Sequence, residues 1–408
     1  GWHTILLEDG HDMDAIQAAF AEVDHSCGRP TIVIARTVKG KGISFLEDRQ
    51  GWHGKALSRD DFQRAVQELG TVDLTLCGEV APPASGTPAV WSPVPVDLPA
   101  TARTLSTREA YGRALVHLAA SHPEMVVLDG EVGNSTFAAT FRDAYPDRFF
   151  EMYIAEQNMV STALGLSTRG KTPFVSTFAA FFTRAFDQIR MAQYALEHCR
   201  IKFVGSHAGV AIGPDGPSQM GLEDIAMFRT ITGSIVLYPA DDIAVAALVP
   251  VMARLPGVTY MRTTRQELPR LYAEGESFPV GGSKILRHSA EDRATVVAAG
   301  VTLHEALAAA DTLAAAHINV RVIDLYSVKP LDLAALRKAA TETAAVITVE
   351  DHYAEGGIGE AVAAALADTA TPVFSLAVRR LPMSGTPQEL LAYEEIDAAA
   401  IAARVRSL

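Results

Sequence analysis

The chain is punctuated by short apolar runs set between stretches of helical periodicity. They fall at residues 125–128, 174–175, 201–204, 235–238 and 258–261, and again at 295–298, 320–325, 345–349 and 373–378. Runs this short and this uniformly apolar predict strands buried on both faces. Strands that alternate with helices pair in parallel, with helices covering either side. The expectation is an α/β chain of successive parallel-sheet βα domains. Ligands of such sheets sit beyond the carboxyl ends of the strands. The polar residues that follow the runs are therefore the first candidates for a site: Ser135, His207, Asp215, Arg262 and Arg265.

Punctuation divides the chain further. In residues 1–70 a helix is expected over 12–24, a strand over 31–35, and a second helix opening at Ser58 with Asp61 at capping distance. One strand and two helices bury no core of their own, so this part reads as the remnant of a larger domain. Residues 71–103, rich in Pro and Ala, read as a semi-extended linker. The two alternating series then define domains at 104–280 and 281–408. Ser106 and Glu109 are spaced for a capping box ahead of the helix that carries Arg108. The run Glu355-Gly356-Gly357-Ile358-Gly359-Glu360 admits two readings, a phosphate-cradling loop or a tight strand-to-helix turn.

Composition narrows the function. A formal net charge of −13 argues against a nucleic-acid partner, while local Arg and His can still bind phosphate within an acidic envelope. No apolar run approaches the roughly 18 residues that span a bilayer, so no membrane partner is expected. Cys27, Cys77 and Cys199 are scattered and form no C-x-x-C pair, which suits a reducing, cytoplasmic setting.

One stretch, residues 153–190, carries the chemistry. Glu156, in Ala155-Glu156-Gln157-Asn158, stands where an apolar run gives way to a helical pattern. Phe178, Phe181 and Phe182 are spaced for one helical face. An acid with a cluster of rings suits a flat, basic heteroaromatic ligand. An acid in a first helical turn and a Phe-lined core face would leave the same pattern. The wording of the stretch resembles the pyrimidine-binding half of transketolase, in its animal-type branch, and this resemblance implies a thiamine-diphosphate enzyme moving two-carbon ketol units between sugar phosphates. By resemblance, Glu156 is the catalytic acid that hydrogen-bonds the pyrimidine nitrogen. Phe181 covers the ring and Gln219 is a further cofactor contact. Lys39 and His53, in Lys39-Gly40-Lys41-Gly42 and Gly51-Trp52-His53-Gly54-Lys55, face the cofactor, with His53 also catalytic and near substrate. Arg108, Ser135, His207 and Arg265 align with contacts to the sugar's phosphate end, and Asp215 with a hydroxyl contact.

Thiamine enzymes hold the diphosphate through Mg2+ or Ca2+ on Gly-Asp-Gly and a later Asn, because a hard cation takes oxygen ligands. Asp129-Gly130 and Asn158 imitate that spacing, but Leu128 replaces the first Gly and Asn158 belongs to the Glu156 motif. The resemblance therefore implies a split enzyme whose second polypeptide carries the metal motif, in a two-fold assembly of two long and two short chains. Dihydroxyacetone synthase, a specialised sugar-transferring enzyme and a non-catalytic regulatory subunit are the alternatives.

Overall fold

The computed structural model describes residues 1–26, 28–71, 104–195 and 199–408, together with the isolated positions 73, 75 and 78. Most of the expected linker, and Cys27 and Cys77, lie outside them. The chain forms two compact units, Gly1–Pro88 and Ala89–Leu408.

In the first unit the strand Thr31–Ala35 forms as expected, but it has a neighbour. His3–Leu7 pairs with it in parallel, Leu6 opposite Ile34 and Thr4 opposite Ile32. The expectation of one lone strand was wrong because His3–Leu7 is short and begins with polar residues. Helices Met13–His25 and Arg59–Leu69 are capped by Asp12 and Ser58, whose side chains accept the free first-turn N–H groups. Leu6, Ile32 and Ile34 share one sheet face and are all exposed.

The second unit contains a seven-stranded sheet. Its strands run in the order Ser327–Lys329, Ile235–Leu237, Gly257–Arg262, Arg200–Ser206, Thr172–Phe178, Met125–Asp129 and Phe149–Glu151. All pair in parallel except the edge strand Ser327–Lys329. Both faces are covered, and the side-chain alternation shows why the runs are continuously apolar. Val126, Leu128 and Val175 enter one core cluster; Met125, Val127 and Phe174 enter the cluster on the opposite face. A second sheet of five strands follows in the order Lys284–Arg287, Val320–Asp324, Ala294–Ala298, Val346–Tyr353 and Val373–Val378. Thus the edge strand Ser327–Lys329, from the later part of the chain, completes the earlier sheet.

Two local expectations are corrected. Ser106 Oγ accepts the Glu109 N–H, but the Glu109 carboxylate turns to Arg113 instead of closing the box. Phe178, Phe181 and Phe182 do not share an α-helical face: Phe178 ends a strand and Ala179–Ala185 is a 3-10 helix. With three residues per turn, Phe181 comes over Phe178 while Phe182 enters the core.

Arg262 is a core residue. It is fully buried, donates to Asp224 (2.9 Å) and Asp351 (2.6 Å), and stacks on Tyr238. Burial opposes its charge, but Asp224 and then Asp351 outweigh it and hold the guanidinium well above its ordinary pKa. The Gly356-Gly357 run is a tight turn whose N–H groups are already taken by the protein: the buried Glu350 carboxyl accepts from the N–H groups of Ile358 and Gly359. Burial pushes the Glu350 pKa up to about 8.

Candidate active site

The polar strand-end residues meet at the carboxyl edge of the seven-stranded sheet. Glu156 opens the helix Glu156–Thr168 just beyond the edge strand Phe149–Glu151 and is buried. Its carboxylate pairs with Arg184, whose guanidinium lies 4.5 Å over the Phe181 ring. Phe181 stacks on Phe178 at 5.1 Å, and Phe178 stacks on the His207 imidazole at 3.8 Å with 14° between planes. Between Glu156 and Phe181, Arg184 places a planar cation stacked on a ring and bonded to a carboxylate.

The contacts continue past His207. This residue follows the strand Arg200–Ser206 in a left-handed conformation (φ 55°) and is buried. Arg108 Nη1 lies 3.5 Å from His207 Nε2; a guanidinium only donates, so Nε2 accepts and Nδ1 carries the proton toward Ser206 Oγ, 3.0 Å away. Burial, then the neighbouring Arg108, pushes the His207 pKa down to about 3, so the ring is neutral near pH 7. Arg108 also donates to the Ser135 carbonyl (2.8 Å) and covers Phe137, while its buried Nε has no partner among the described residues. Arg265 donates to Asp215 (2.7 Å). Burial and the nearby Arg265 lower the Arg108 pKa, which places the two guanidinium groups in one electrostatic neighbourhood. Two arginines, one with an unfilled buried donor, beside a neutral imidazole make an anion-receptive end.

The structure therefore brings Glu156, Phe181, His207, Arg108, Ser135, Asp215 and Arg265 into this edge, Ser135 through its backbone carbonyl. Gln219 is half-buried on the same loop as Asp215, its N–H bonded to Gly216 O. Lys39 and His53 are exposed residues of the first unit. Arg184 was missed as a participant, and so was the stack of Phe178 on His207. Arg184 lies within the singled-out stretch, but the Phe178–His207 stack joins residues of different strands and leaves no periodic signal. Asp129 and Asn158 do not form a metal pair. Both Asp129 oxygens accept local bonds, from Val132 N and Thr136 Oγ1, and Asn158 is exposed on its helix. Among the described residues no group of three His, Cys, Asp or Glu side chains is placed to hold a metal ion.

Comparison with known proteins gives this edge its class. Residues 103–270 match the family described as transketolase, pyrimidine binding domain; residues 283–401 match its C-terminal domain and residues 1–76 its thiamine diphosphate binding domain. These are domains of a thiamine-diphosphate enzyme. Human transketolase is 46% identical over 100% of the chain and 66% of its own length. Transketolase-like protein 1 of Macaca fascicularis is 43% identical over 100% and 69%. The chain belongs to the transketolase family, and it spans about two thirds of the length of the curated relatives it matches. Among solved structures, a split gene transketolase in an inactive beta4 tetramer superposes with TM-score 0.67 at 38% identity, covering 74% of this chain and 97% of that one. Transketolase of Campylobacter jejuni shares the fold at 18% identity, TM-score 0.80, over 100% of this chain and 68% of its own.

Proposed function

We propose that this chain is one subunit of a split transketolase that transfers a two-carbon ketol unit from a ketose phosphate to an aldose phosphate. The observation that carries the reading is the unbroken run of contacts from Glu156 through Arg184, Phe181, Phe178 and His207 to Arg108. It joins an acid and a ring that hold a flat cation to an end suited to phosphate. A protonated aminopyrimidine has the planarity and charge that Arg184 presents to Glu156 and Phe181, so these residues fit the pyrimidine end of thiamine diphosphate. Bound there, the cofactor would supply a nucleophilic thiazolium carbon.

This chain's own residues hold and orient. Glu156 shares a proton with the pyrimidine nitrogen, Phe181 covers the ring once Arg184 withdraws, and Gln219 adds a contact. Arg108 and Arg265 receive the sugar phosphate beside Ser135 and the neutral His207, and Asp215 takes a hydroxyl. Lys39 and His53 serve the diphosphate and thiazolium end, from the remnant at 1–70. The segment 71–103 links that remnant to the pyrimidine-binding domain, 104–280, and the C-terminal domain, 281–408. No step here runs through a metal, since the described residues do not fit one; a second polypeptide is assigned the Mg2+ or Ca2+ ligands.

Two observations favour that second polypeptide in a two-fold assembly of two long and two short chains. A split gene transketolase at 38% identity is covered by this chain over 97% of its length. The parallel strands of the first unit also leave Leu6, Ile32 and Ile34 exposed, although parallel sheets are ordinarily covered on both faces. The test of the chemistry is Glu156→Gln in the assembled enzyme, read as exchange of the thiazolium C2 proton. Exchange should fall by about 10²- to 10⁴-fold; an unchanged rate removes the role given to Glu156.

A further inference from the structure

The segment from His207 to Gly221 carries His207, Asp215 and Gln219, and residues after 281 hold it near its start and at its middle. At its start, Gly209 has φ 81° and packs so closely on Asp351 that a Cβ there would collide with the carboxylate. Asp351 Oδ2, the atom that Gly209 meets, is buried and has no hydrogen-bond partner among the described residues. Gly209 N–H and Arg262 Nη2 both donate to Gly221 O, at 2.8 and 2.7 Å, and Gly221 N–H returns to His207 O. Arg262 is fixed in turn by Asp351, through Oδ1 (2.6 Å) and the backbone carbonyl (3.0 Å). Tyr238 OH donates to the same Oδ1 at 3.0 Å. Further along, a Cβ at Gly216 would lie 2.8 Å from Ser384 Oγ, and one at Gly213 would lie 3.0 Å from Gly385 O. The backbone that presents His207 and Asp215 is thus seated against Asp351 near its start and Ser384-Gly385 at its middle.

We propose that Asp351 is a positioning residue for recognition of the sugar's phosphate end, acting through Arg262 and the Gly209 backbone to fix where His207 stands beside Arg108. The inference rests on the phosphate reading given above and adds a role for the domain at 281–408. Asp351 reaches no substrate atom in this arrangement. Its effect passes through the seat of the 207–221 backbone, and small displacements of a positioned group cost binding steeply. Glu156 and Phe181 are outside that seat, and the stretch that carries Asp215 and Gln219 has its own seat where Gly213 and Gly216 meet Gly385 and Ser384, so the loss falls on His207.

The test compares Asp351→Asn and Tyr238→Phe with wild type in the assembled enzyme, using xylulose 5-phosphate and the unphosphorylated erythrulose as donors. For Asp351→Asn the KM for the phosphorylated donor should rise about tenfold with kcat within about twofold, while erythrulose kinetics stay at wild-type values. Tyr238→Phe should shift the same constant in the same direction by less. It keeps the Asp351 charge and carries the comparison if Asp351→Asn does not fold. Equal losses on both donors assign Asp351 a general structural role and overturn the inference, as does wild-type discrimination retained in both variants. A wild type that treats the two donors alike overturns the phosphate reading, and this inference with it.

Discussion

Replacing Arg262 with Met would remove the cation from the most buried ion cluster at the site's base while keeping most of its volume. Arg262 makes two ion pairs and two further bonds to the carbonyls of Gly221 and Asp351, all in the interior. Breaking one side of a buried pair costs about 3–5 kcal/mol, because the remaining charge stays desolvated. Two carboxylates remain here, but each keeps a tyrosine donor: Tyr260 bonds Asp224 at 2.5 Å and Tyr238 bonds Asp351 at 3.0 Å. The cost therefore stays near about 4 kcal/mol rather than doubling, a large share of the roughly 5–15 kcal/mol that holds a domain folded. Urea unfolding of the Arg262→Met chain at pH 7 should show it as a lower midpoint. The deficit should also depend on pH. Burial already raises the Asp351 pKa, and without the cation it favours the protonated form further, so the folded state binds a proton that the unfolded state releases. The variant's stability then falls as pH rises above the unfolded carboxylate pKa of about 4, by up to about 1.4 kcal/mol per pH unit. Arg262→Met should lie closest to wild type near pH 5 and furthest near pH 8. A loss under about 1 kcal/mol with no pH dependence would refute the reasoning.

Arg265, three residues on, should behave oppositely. Its pair with Asp215 is about a third exposed, so Arg265→Ala should cost under about 1 kcal/mol in the same urea assay. It should nevertheless lower kcat/KM for a phosphorylated donor by roughly ten- to hundredfold, as should Arg108→Ala, with erythrulose little changed; equal losses on both donors would make these arginines structural. His207 should show no protonation between pH 5 and 8 when its imidazole is followed by NMR, because its folded pKa lies at about 3; a midpoint above pH 6 would contradict the buried, Arg108-flanked geometry. Its depressed value also fixes a sign. The unfolded ring protonates first, near pH 6.5, so this group's contribution to stability is whole above that pH and is lost as pH falls toward 3.

The sheet was legible because burial on both faces writes itself into sequence as uninterrupted apolar runs, as at Met125–Asp129. Two edge strands that begin with polar residues carry no such run, although the edge strand Val373–Val378 does. His3–Leu7 and Ser327–Lys329 were invisible for that reason, and so was the crossing of the latter into the earlier sheet. Strand-end placement separated His207, Asp215 and Arg265 from surface residues, but it could not separate Arg262 from Arg265. That distinction depends on Asp224 and Asp351, which lie far along the chain and close around Arg262 only in the fold. Phe178 was misread for a local reason, since spacing of three fits either helix type and only the 3-10 turn stacks it on Phe181. Arg184 reads in sequence as an ordinary exposed cation; its place over Phe181 follows from the same tight turn.

The central claim is that this chain supplies the pyrimidine and sugar-phosphate ends of a ketol-transferring site and that a second polypeptide supplies the metal end. It is tested most directly by assaying the 408-residue chain, verified by intact mass, alone and with its partner polypeptide in the presence of thiamine diphosphate and Mg2+. The account predicts no ketol transfer from the chain alone, and activity that rises in proportion to the complex formed. Full activity from the chain by itself would contradict it.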